Sequence, residues 1–226
     1  MTDAIKIDVW SDIACPWCYI GKRNLEKGIA ATAGDQDAPR VEVTFHSYEL
    51  SPDTPVDFEG DEIDFLAGHK GMPREQVVQM LDRVTGVAAD AGLEYRFDLL
   101  QHTNTVKAHE LLHYAKEQGR QHEVAERLMS AYFTEGRHVG RVDDLVDLAA
   151  EVGLDRDDVR AALESGRYLD AVRADQAQAQ AYGIQGVPFF VIDGRYGVSG
   201  AQPAEAFAQI ARQVWDERKA SPTTAA

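Results

Sequence analysis

Hydrophobic and polar residues alternate near both ends of the chain, with the spacing of β-strands. Apolar residues recur at every second position near 4–10 and 40–48, which predicts a strand in each segment. A third apolar run, Phe189–Ile192, is followed by an Asp193-Gly194 pair and by the segment 196–198. Two short apolar runs joined by Asp-Gly are typical of a β-hairpin, so we expect a second pair of strands here.

Between these ends, the apolar residues follow the period of a helix. The first helix begins after Cys15 and is expected to end near Gly34. Another helix is opened by Pro73 and closed by Gly92. The same signals predict further helices at about 104–118, 122–134, 142–152 and 156–164, one that includes 176–182, and a last one from 203 to about 218.

Strand patterns at both ends, with helices between them, predict an α/β protein whose single sheet is built from both parts of the chain. We expect a helical domain inserted into this sheet domain. The predicted boundaries are 1–54 for the first part of the sheet domain, 55–183 for the helical insertion, 184–219 for the second part and 220–226 for a disordered tail.

The chain's two cysteines, Cys15 and Cys18, form a Cys-Pro-Trp-Cys motif between the first predicted strand and helix. Pro16 suits the first position of a helix, which makes Cys15 the N-cap and Cys18 the third helical residue. A thiolate at the N-cap accepts hydrogen bonds from free N–H groups and is stabilised by the helix dipole. We therefore expect Cys15 to be an exposed nucleophile with a pKa below about 8.5 and Cys18 to be a shielded resolving thiol.

A purely structural disulfide is the alternative for this motif, but so short a loop restrains little of the unfolded chain. Lys22 and Arg23 follow the motif and are expected to lie on a solvated helix face, where they add at most a modest attraction for the thiolate.

Composition narrows the range of partners. The chain has 38 acidic and 23 basic residues and a formal net charge of −15, which argues against nucleic acid and against an anionic membrane surface. No apolar run approaches the length that spans a bilayer, and the first residues lack the apolar core of a signal peptide. We therefore expect a cytoplasmic protein. In that reducing compartment, a Cys-x-x-Cys pair is more often catalytic or redox-sensing than structural.

Several separated segments resemble one family: residues 12–21, 46–52, 104–105, 108–109, 186–192 and 197–203. Together with the predicted order of elements, they are similar to the thioredoxin-like fold of the DsbA type, and most of all to the FrnE-like branch of the DsbA family. The resemblance covers nearly the whole chain. It implies oxidation, reduction or isomerisation of disulfides in proteins or low-molecular-weight thiols, without a metal or organic cofactor, and a cis-proline loop opposite the cysteines.

The resemblance assigns Val187 and Pro188 to this loop. A cis bond before Pro188 would leave the backbone of Val187 free to pair with an extended substrate beside Cys15. The residues alone also allow an ordinary trans proline at a strand edge. Asp12, just before the motif, has two possible roles, which are to accept the proton of Cys18 or to form the turn that precedes the helix.

One further motif favours different chemistry. His109-Glu110-Leu-Leu-His113 matches H-E-x-x-H, which on a helix places two imidazoles on one face for zinc, with the glutamate as a base. The segment that follows lacks the glycine and third histidine of the extended motif, and the helix has the apolar pattern of a packing element. A zinc hydrolase is therefore a remote alternative. His109 matches the family pattern and is expected to face the active-site cleft, whereas His113 is expected at the surface or in packing.

A second alternative shares the fold. Glutathione-linked enzymes such as 2-hydroxychromene-2-carboxylate isomerases act on small molecules, usually with Ser at the nucleophilic position and without the second cysteine. This chain keeps both sulfurs, which favours dithiol–disulfide exchange. We expect Cys15 and Cys18 to be catalytic, and expect the active site to include the residues Asp12, Pro16, Trp17, His109, Val187 and Pro188.

Overall fold

The computed structural model describes residues 4–33, 38 and 40–220. Both predicted pairs of strands are present in one mixed sheet, in the order β2-β1-β3-β4. The strand β1 pairs in parallel with β2 and antiparallel with β3, and β3 pairs antiparallel with β4. The bounds of the strands are β1 (Ile5–Ser11), β2 (Val41–Ser47), β3 (Phe189–Ile192) and β4 (Tyr196–Ser199).

The described part of the chain also contains nine helices, seven of which lie between β2 and β3 in sequence. None of these helices is both long and apolar enough to cross a membrane. Their bounds are α1 (Pro16–Thr32), α2 (Glu62–Lys70), α3 (Arg74–Asp90), α4 (Val106–Glu117), α5 (Gln121–Phe133), α6 (Val142–Glu151), α7 (Arg156–Glu164), α8 (Leu169–Ala181) and α9 (Ala204–Ala220).

One helix and two boundaries differ from the sequence-based expectation. The helix α2 was not predicted, and α8 begins at Leu169, well before the segment assigned to it. The helix α9 includes Ala220, so this residue does not belong to the predicted tail. The rest of that tail, and the predicted helix end at Gly34, lie outside the described residues.

The core of the sheet half forms where α1 and α9 pack on the same face of the sheet. Alternate residues of β1 are buried there, and the rings of Phe190 and Phe207 meet edge to face with centroids 4.7 Å apart. Burying side chains of this size contributes about 1.5–3 kcal/mol each. Gly28 lets the two helices approach, since a Cβ atom there would lie 2.6 Å from the carbonyl oxygen of Ala204.

A half-buried polar cluster joins α8 to the sheet. The His46 ring lies between Asp8 and Asp175, with Nε2 2.9 Å from one carboxylate and Nδ1 2.7 Å from the other, and Trp10 stacks on it. Burial lowers the pKa of His46, but the hydrogen bonds to Asp175 and Asp8 outweigh it and raise the pKa to about 9. Asp175 also accepts the backbone N–H of Ser47. This cluster fixes the helix that leads to the loop before β3.

Candidate active site

The cysteine motif opens α1, as the position of the proline predicts. Cys15 is the N-cap, with extended backbone angles, and Pro16 is the first helical residue. The Cys15 N–H donates to the carbonyl of Asp12 at 3.2 Å, and the Cys18 N–H donates to the carbonyl of Cys15 at 3.0 Å. The motif is thus a tight turn between β1 and α1 that places both sulfurs at the carboxyl end of β1.

The expected exposure of Cys15 is wrong. Its side chain is only 3% exposed, and the thiol donates toward the carbonyl oxygen of Val187, with 3.6 Å between sulfur and oxygen. The sulfur accepts no hydrogen bond from the N–H groups of the helix in this state. The physical reason is the loop before β3, which lies across the sulfur and offers it an acceptor. Both cysteines are free thiols.

The predicted cis bond between Val187 and Pro188 is confirmed. Pro188 packs on α1 at Gly21, where an added Cβ would lie 2.9 Å from Pro188 Cγ and 3.2 Å from a ring carbon of Phe190. The glycine therefore lets the loop approach the helix closely enough to reach Cys15. The Val187 carbonyl is occupied by the Cys15 thiol, so a substrate that pairs with this carbonyl must replace that hydrogen bond.

Cys18 occupies the shielded position that the motif predicts, with 2% of its surface exposed. Burial, followed by the neighbouring Cys15, raises the pKa of Cys18 well above its ordinary value. The backbone of Asp12 and the hydroxyl of Ser11 act in the opposite direction. Cys18 is therefore held as a thiol while both cysteines are reduced.

Asp12 is buried, and its carboxylate is held by three groups. It accepts hydrogen bonds from the backbone N–H groups of Ala14 at 3.3 Å and Leu50 at 2.8 Å, and lies 3.3 Å from His109 Nε2. Burial raises the pKa of Asp12, but the hydrogen bond and charge of His109 and the Leu50 N–H outweigh it, so the pKa is lowered. These contacts favour the turn-forming role over the role of proton acceptor for Cys18.

The two histidines of the H-E-x-x-H motif contact different carboxylates. His109 is fully buried beneath Asp12, so it does not line the open cleft as expected. His113 Nε2 lies 3.1 Å from Asp175 Oδ2 and 3.2 Å from the hydroxyl of Ser47, in the cluster around His46. It is therefore a packing residue, one of the two positions expected for it.

Glu110, the expected base of the motif, pairs with Lys107 at 2.8 Å. Across residues 4–33, 38 and 40–220, no group of three His, Cys, Asp or Glu side chains is arranged to hold a metal ion. Because both Nε2 atoms of the motif already face a carboxylate, this geometry gives the zinc hydrolase no support.

Lys22 does not lie on a solvated face, contrary to expectation. It is 3% exposed, and its Nζ lies 2.5 Å from a carboxylate oxygen of both Glu26 and Glu126. Arg23 contacts the same two carboxylates, and the Tyr19 hydroxyl donates to Glu126 at 2.7 Å. This compact charged cluster joins α1 to α5 behind the motif.

A cavity of about 320 Å³ opens beside Cys15. Trp17 lies at the cavity, with 42% of its surface exposed, and Leu50 is similarly exposed. The opposite wall is formed by one face of α2 and by α3. The apolar residues of that wall are Phe65, Leu66, Met80, Leu81 and Val84.

A polar pair that the sequence analysis missed also lines this cavity. His102 Nδ1 lies 2.9 Å from the carboxylate of Glu62, and Phe65 stacks on the imidazole at 3.4 Å between centroids. His102 Nε2 is buried and has no hydrogen-bond partner among the described residues. A signal for α2 was present, because Asp61 and Gly71 are a typical N-cap and a typical helix stop.

Comparison with known proteins places this geometry in a family. The family model of the DSBA-like thioredoxin domain matches residues 6–211. The structure of a probable DsbA oxidoreductase from Streptomyces coelicolor is 42% identical in sequence, with a TM-score of 0.89 over 98% of this chain and 94% of that chain.

Two more distant structures share the fold. The cytosolic disulfide reductase DsbM from Pseudomonas aeruginosa is 20% identical, with a TM-score of 0.65 over 92% of this chain and 98% of that one. A 2-hydroxychromene-2-carboxylate isomerase is 14% identical, with a TM-score of 0.67 over 97% of this chain and 100% of that one. The predicted thioredoxin-like fold of the DsbA type is confirmed, and the chain belongs to the family of the DSBA-like thioredoxin domain, whose members are described as disulfide oxidoreductases or isomerases.

Proposed function

We propose that this protein is a thiol–disulfide oxidoreductase that exchanges disulfides through its Cys-Pro-Trp-Cys motif. The observation that carries the proposal is the position of the chain's two cysteines at the start of α1, with Cys15 against the Val187 carbonyl. A dithiol at a helix N-terminus beside the backbone of the Val187 loop is suited to attack on an extended disulfide substrate that pairs with this backbone.

In the proposed reaction, the Cys15 thiolate attacks one sulfur of a substrate disulfide. The substrate S–S bond breaks, the other substrate sulfur leaves as a thiolate that takes a proton from water, and a mixed disulfide forms at Cys15. Cys18 then gives up its proton to water and attacks the Cys15 sulfur; the Cys15–substrate S–S bond breaks, and the second substrate thiolate leaves and takes a proton from water. Two electrons pass from the protein dithiol to the substrate, and the reverse sequence oxidises a substrate dithiol.

The environment of Cys18 supports this order of events. Its raised pKa keeps it protonated while Cys15 reacts with the substrate. In the mixed disulfide Cys15 carries no charge, so the repulsion that opposes ionisation of Cys18 is removed, while the Ser11 hydroxyl and the Asp12 backbone still favour the thiolate. The second step is thus promoted by the first.

The cavity beside Cys15 is suited to bind a substrate that has an apolar group next to its disulfide. Trp17 and Leu50 expose apolar surface there, which suits an unfolded polypeptide, and the interior beyond them has room for a low-molecular-weight thiol. The disulfide reductase of Pseudomonas aeruginosa is cytosolic and has been solved with glutathione. A cytoplasmic location and renewal of the dithiol by a small thiol are therefore part of the proposal.

The isomerase that shares the fold is the second candidate. A glutathione-linked isomerase activates one bound thiol and needs no second protein sulfur. This chain has a second, buried sulfur one turn inside the helix, which supports electron exchange instead.

Single replacements of the two cysteines test the proposal. Cys15→Ser is expected to reduce insulin no faster than buffer, because the attacking sulfur is gone. Cys18→Ser is expected to accumulate mixed disulfides, which non-reducing electrophoresis and mass spectrometry detect, because only the resolving step is lost. The variant with both cysteines replaced by serine gives the background level in both measurements.

Full insulin reduction by both single variants would refute the proposal. Isomerisation of 2-hydroxychromene-2-carboxylate that depends on added glutathione and survives Cys18→Ser would favour the second candidate instead.

A further inference from the structure

A tyrosine from the helical insertion reaches into the cysteine motif. Tyr95 lies in the segment between α3 and α4, and its hydroxyl donates to the carbonyl oxygen of Pro16 at 2.7 Å. Pro16 is one of the two residues between the cysteines, so this hydrogen bond connects the insertion directly to the backbone of the motif.

The ring of Tyr95 is held firmly in this position. It lies nearly parallel to the rings of Phe133, at 4.7 Å between centroids, and Tyr19, at 6.2 Å, and meets Phe97 edge to face. The next residue, Arg96, donates its backbone N–H to the Phe133 carbonyl at 2.7 Å. Rings from α1 and α5 therefore fix where the hydroxyl points.

The hydroxyl of Tyr95 remains a donor under working conditions. Its residue is 6% exposed, and burial, followed by the charge of a Cys15 thiolate, raises the pKa of Tyr95 far above its ordinary value. The hydroxyl therefore keeps its proton when Cys15 ionises.

The Pro16 carbonyl belongs to the same peptide group as the N–H of Trp17. A thiolate at Cys15 has no proton to donate to Val187, so it depends on the Cys18 thiol and on the N–H groups of the first helical turn. Pro16 has no N–H, and the N–H of Cys18 already donates to the Cys15 carbonyl at 3.0 Å. Among the backbone N–H groups of the first turn, that of Trp17 is the donor that remains, and a hydrogen bond to the oxygen of its own peptide group makes it a stronger donor.

We propose that Tyr95 is a positioning residue of the redox motif, which stabilises the Cys15 thiolate by fixing and polarising the Pro16–Trp17 peptide. This inference rests on the proposed function only in taking Cys15 as the attacking thiol. Because the thiolate exists in the reduced protein alone, Tyr95 also favours the reduced form and makes the oxidised form a stronger oxidant.

Tyr95→Phe tests this role, because it removes the hydroxyl and keeps the stacked ring. We expect alkylation of Cys15 at pH 6 to slow about threefold, with its pH midpoint moving upward. In a glutathione buffer, a threefold change in the thiol–disulfide equilibrium makes the potential about 14 mV more negative, since tenfold corresponds to about 30 mV. Replacement of Tyr95 by 3-fluorotyrosine, a more acidic donor, is expected to shift the midpoint in the opposite direction.

Tyr168→Phe is the matched control. It also removes the hydroxyl of a buried tyrosine, here one that donates to Glu117, and is expected to leave the alkylation profile unchanged. A Tyr95→Phe protein that melts at a lower temperature but keeps the wild-type midpoint and potential would overturn the proposal and leave Tyr95 a structural residue. If Tyr95→Phe does not fold, a 3-fluorotyrosine protein with the wild-type midpoint overturns it equally.

The same experiment separates this inference from the proposed function. A wild-type protein that does not exchange with glutathione disulfide would contradict the oxidoreductase activity. The alkylation midpoints of Cys15 would still decide the role of Tyr95.

Discussion

The sheet half and the helical insertion make different contributions to the site. The sheet half supplies the reacting sulfurs of Cys15 and Cys18 and the backbone of Val187, all within short loops at the end of β1 and before β3. The insertion supplies no cysteine, but it provides Tyr95 and the wall of the cavity formed by α2 and α3. The comparison indicates that the chemistry is set locally by the motif, whereas its environment is set by a separate part of the chain.

Buried and half-buried polar contacts, and not apolar packing alone, join these two parts. Gln121 of α5 pairs with both backbone groups of Phe45, donating to the carbonyl at 2.8 Å and accepting the N–H at 3.0 Å. This continues the hydrogen bonding of the edge strand β2 with a side chain. The His46 cluster likewise joins α8 to the sheet, through the carboxylates of Asp175 and Asp8 and the imidazole between them. Such contacts are costly to break singly, because the remaining partner is left buried.

The largest effect is expected where the His46 cluster joins α8 to the sheet. The pKa of His46 is about 9 in the folded state and near 6.5 when unfolded. Protonation of His46 therefore adds about 3 kcal/mol to the free energy of unfolding. This contribution is fully present below about pH 6.5, falls as the pH rises toward 9, and is absent above it. Urea unfolding between pH 6 and 10 measures this loss.

His46→Gln should remove most of this pH dependence, because an amide does not titrate. His122→Gln serves as the control, since His122 is exposed, lies 2.9 Å from the Val43 carbonyl oxygen and contacts the Phe45 ring edge to face. If wild type and His46→Gln lose stability in parallel over this pH range, the cluster does not hold the two parts together through charge.

A smaller effect is expected within the sheet half, at Gly21. In Gly21→Ala the new Cβ would lie 2.9 Å from Pro188, so the loop that carries Val187 must move. We expect a loss of about 1–2 kcal/mol in the free energy of unfolding, after the better helix propensity of alanine is allowed for, and slower disulfide exchange. Denaturant unfolding and insulin reduction measure the two changes.

Gly86→Ala is the matched control for this replacement. Gly86 lies in α3 of the insertion with no atom within 4 Å of its added Cβ, so alanine should stabilise the protein by up to about 1 kcal/mol without a change in activity. Equal effects of the two replacements would mean that the loop does not depend on its close approach to α1.

The difference between contacts of neighbouring residues and contacts of distant residues explains which features the sequence could predict. The N-cap at Cys15 and the Asp193-Gly194 turn depend on neighbouring residues, and the structure has both, with φ of 57° and 66° in the turn. The contacts of Tyr95 with Pro16 and of Lys22 with Glu126 join residues 79 and 104 positions apart. Local patterns carry no information about which distant residue approaches, so these contacts, and the burial of Cys15 under the Val187 loop, were not foreseen.

The smallest effect is expected at the start of α2, the helix that forms part of the cavity wall. Asp61 is its N-cap and accepts the N–H of Asp64 at 2.7 Å, while the Asp64 side chain accepts the Asp61 N–H. Asp61→Ala should cost about 1 kcal/mol, and the loss should be local because α2 packs mainly on α3. Hydrogen exchange should become faster in α2, while the pH midpoint of Cys15 alkylation stays at its wild-type value.

Asp155→Ala, which removes the N-cap of α7 far from the motif, provides the comparison. It should cost a similar free energy and leave exchange in α2 unchanged. The expected pattern is an altered KM for disulfides with an apolar group in Asp61→Ala alone, because only that variant loosens the cavity wall. A shifted pH midpoint of Cys15 alkylation in Asp61→Ala would show instead that the insertion controls the thiol through α2. The chemistry of the motif would then not be set locally.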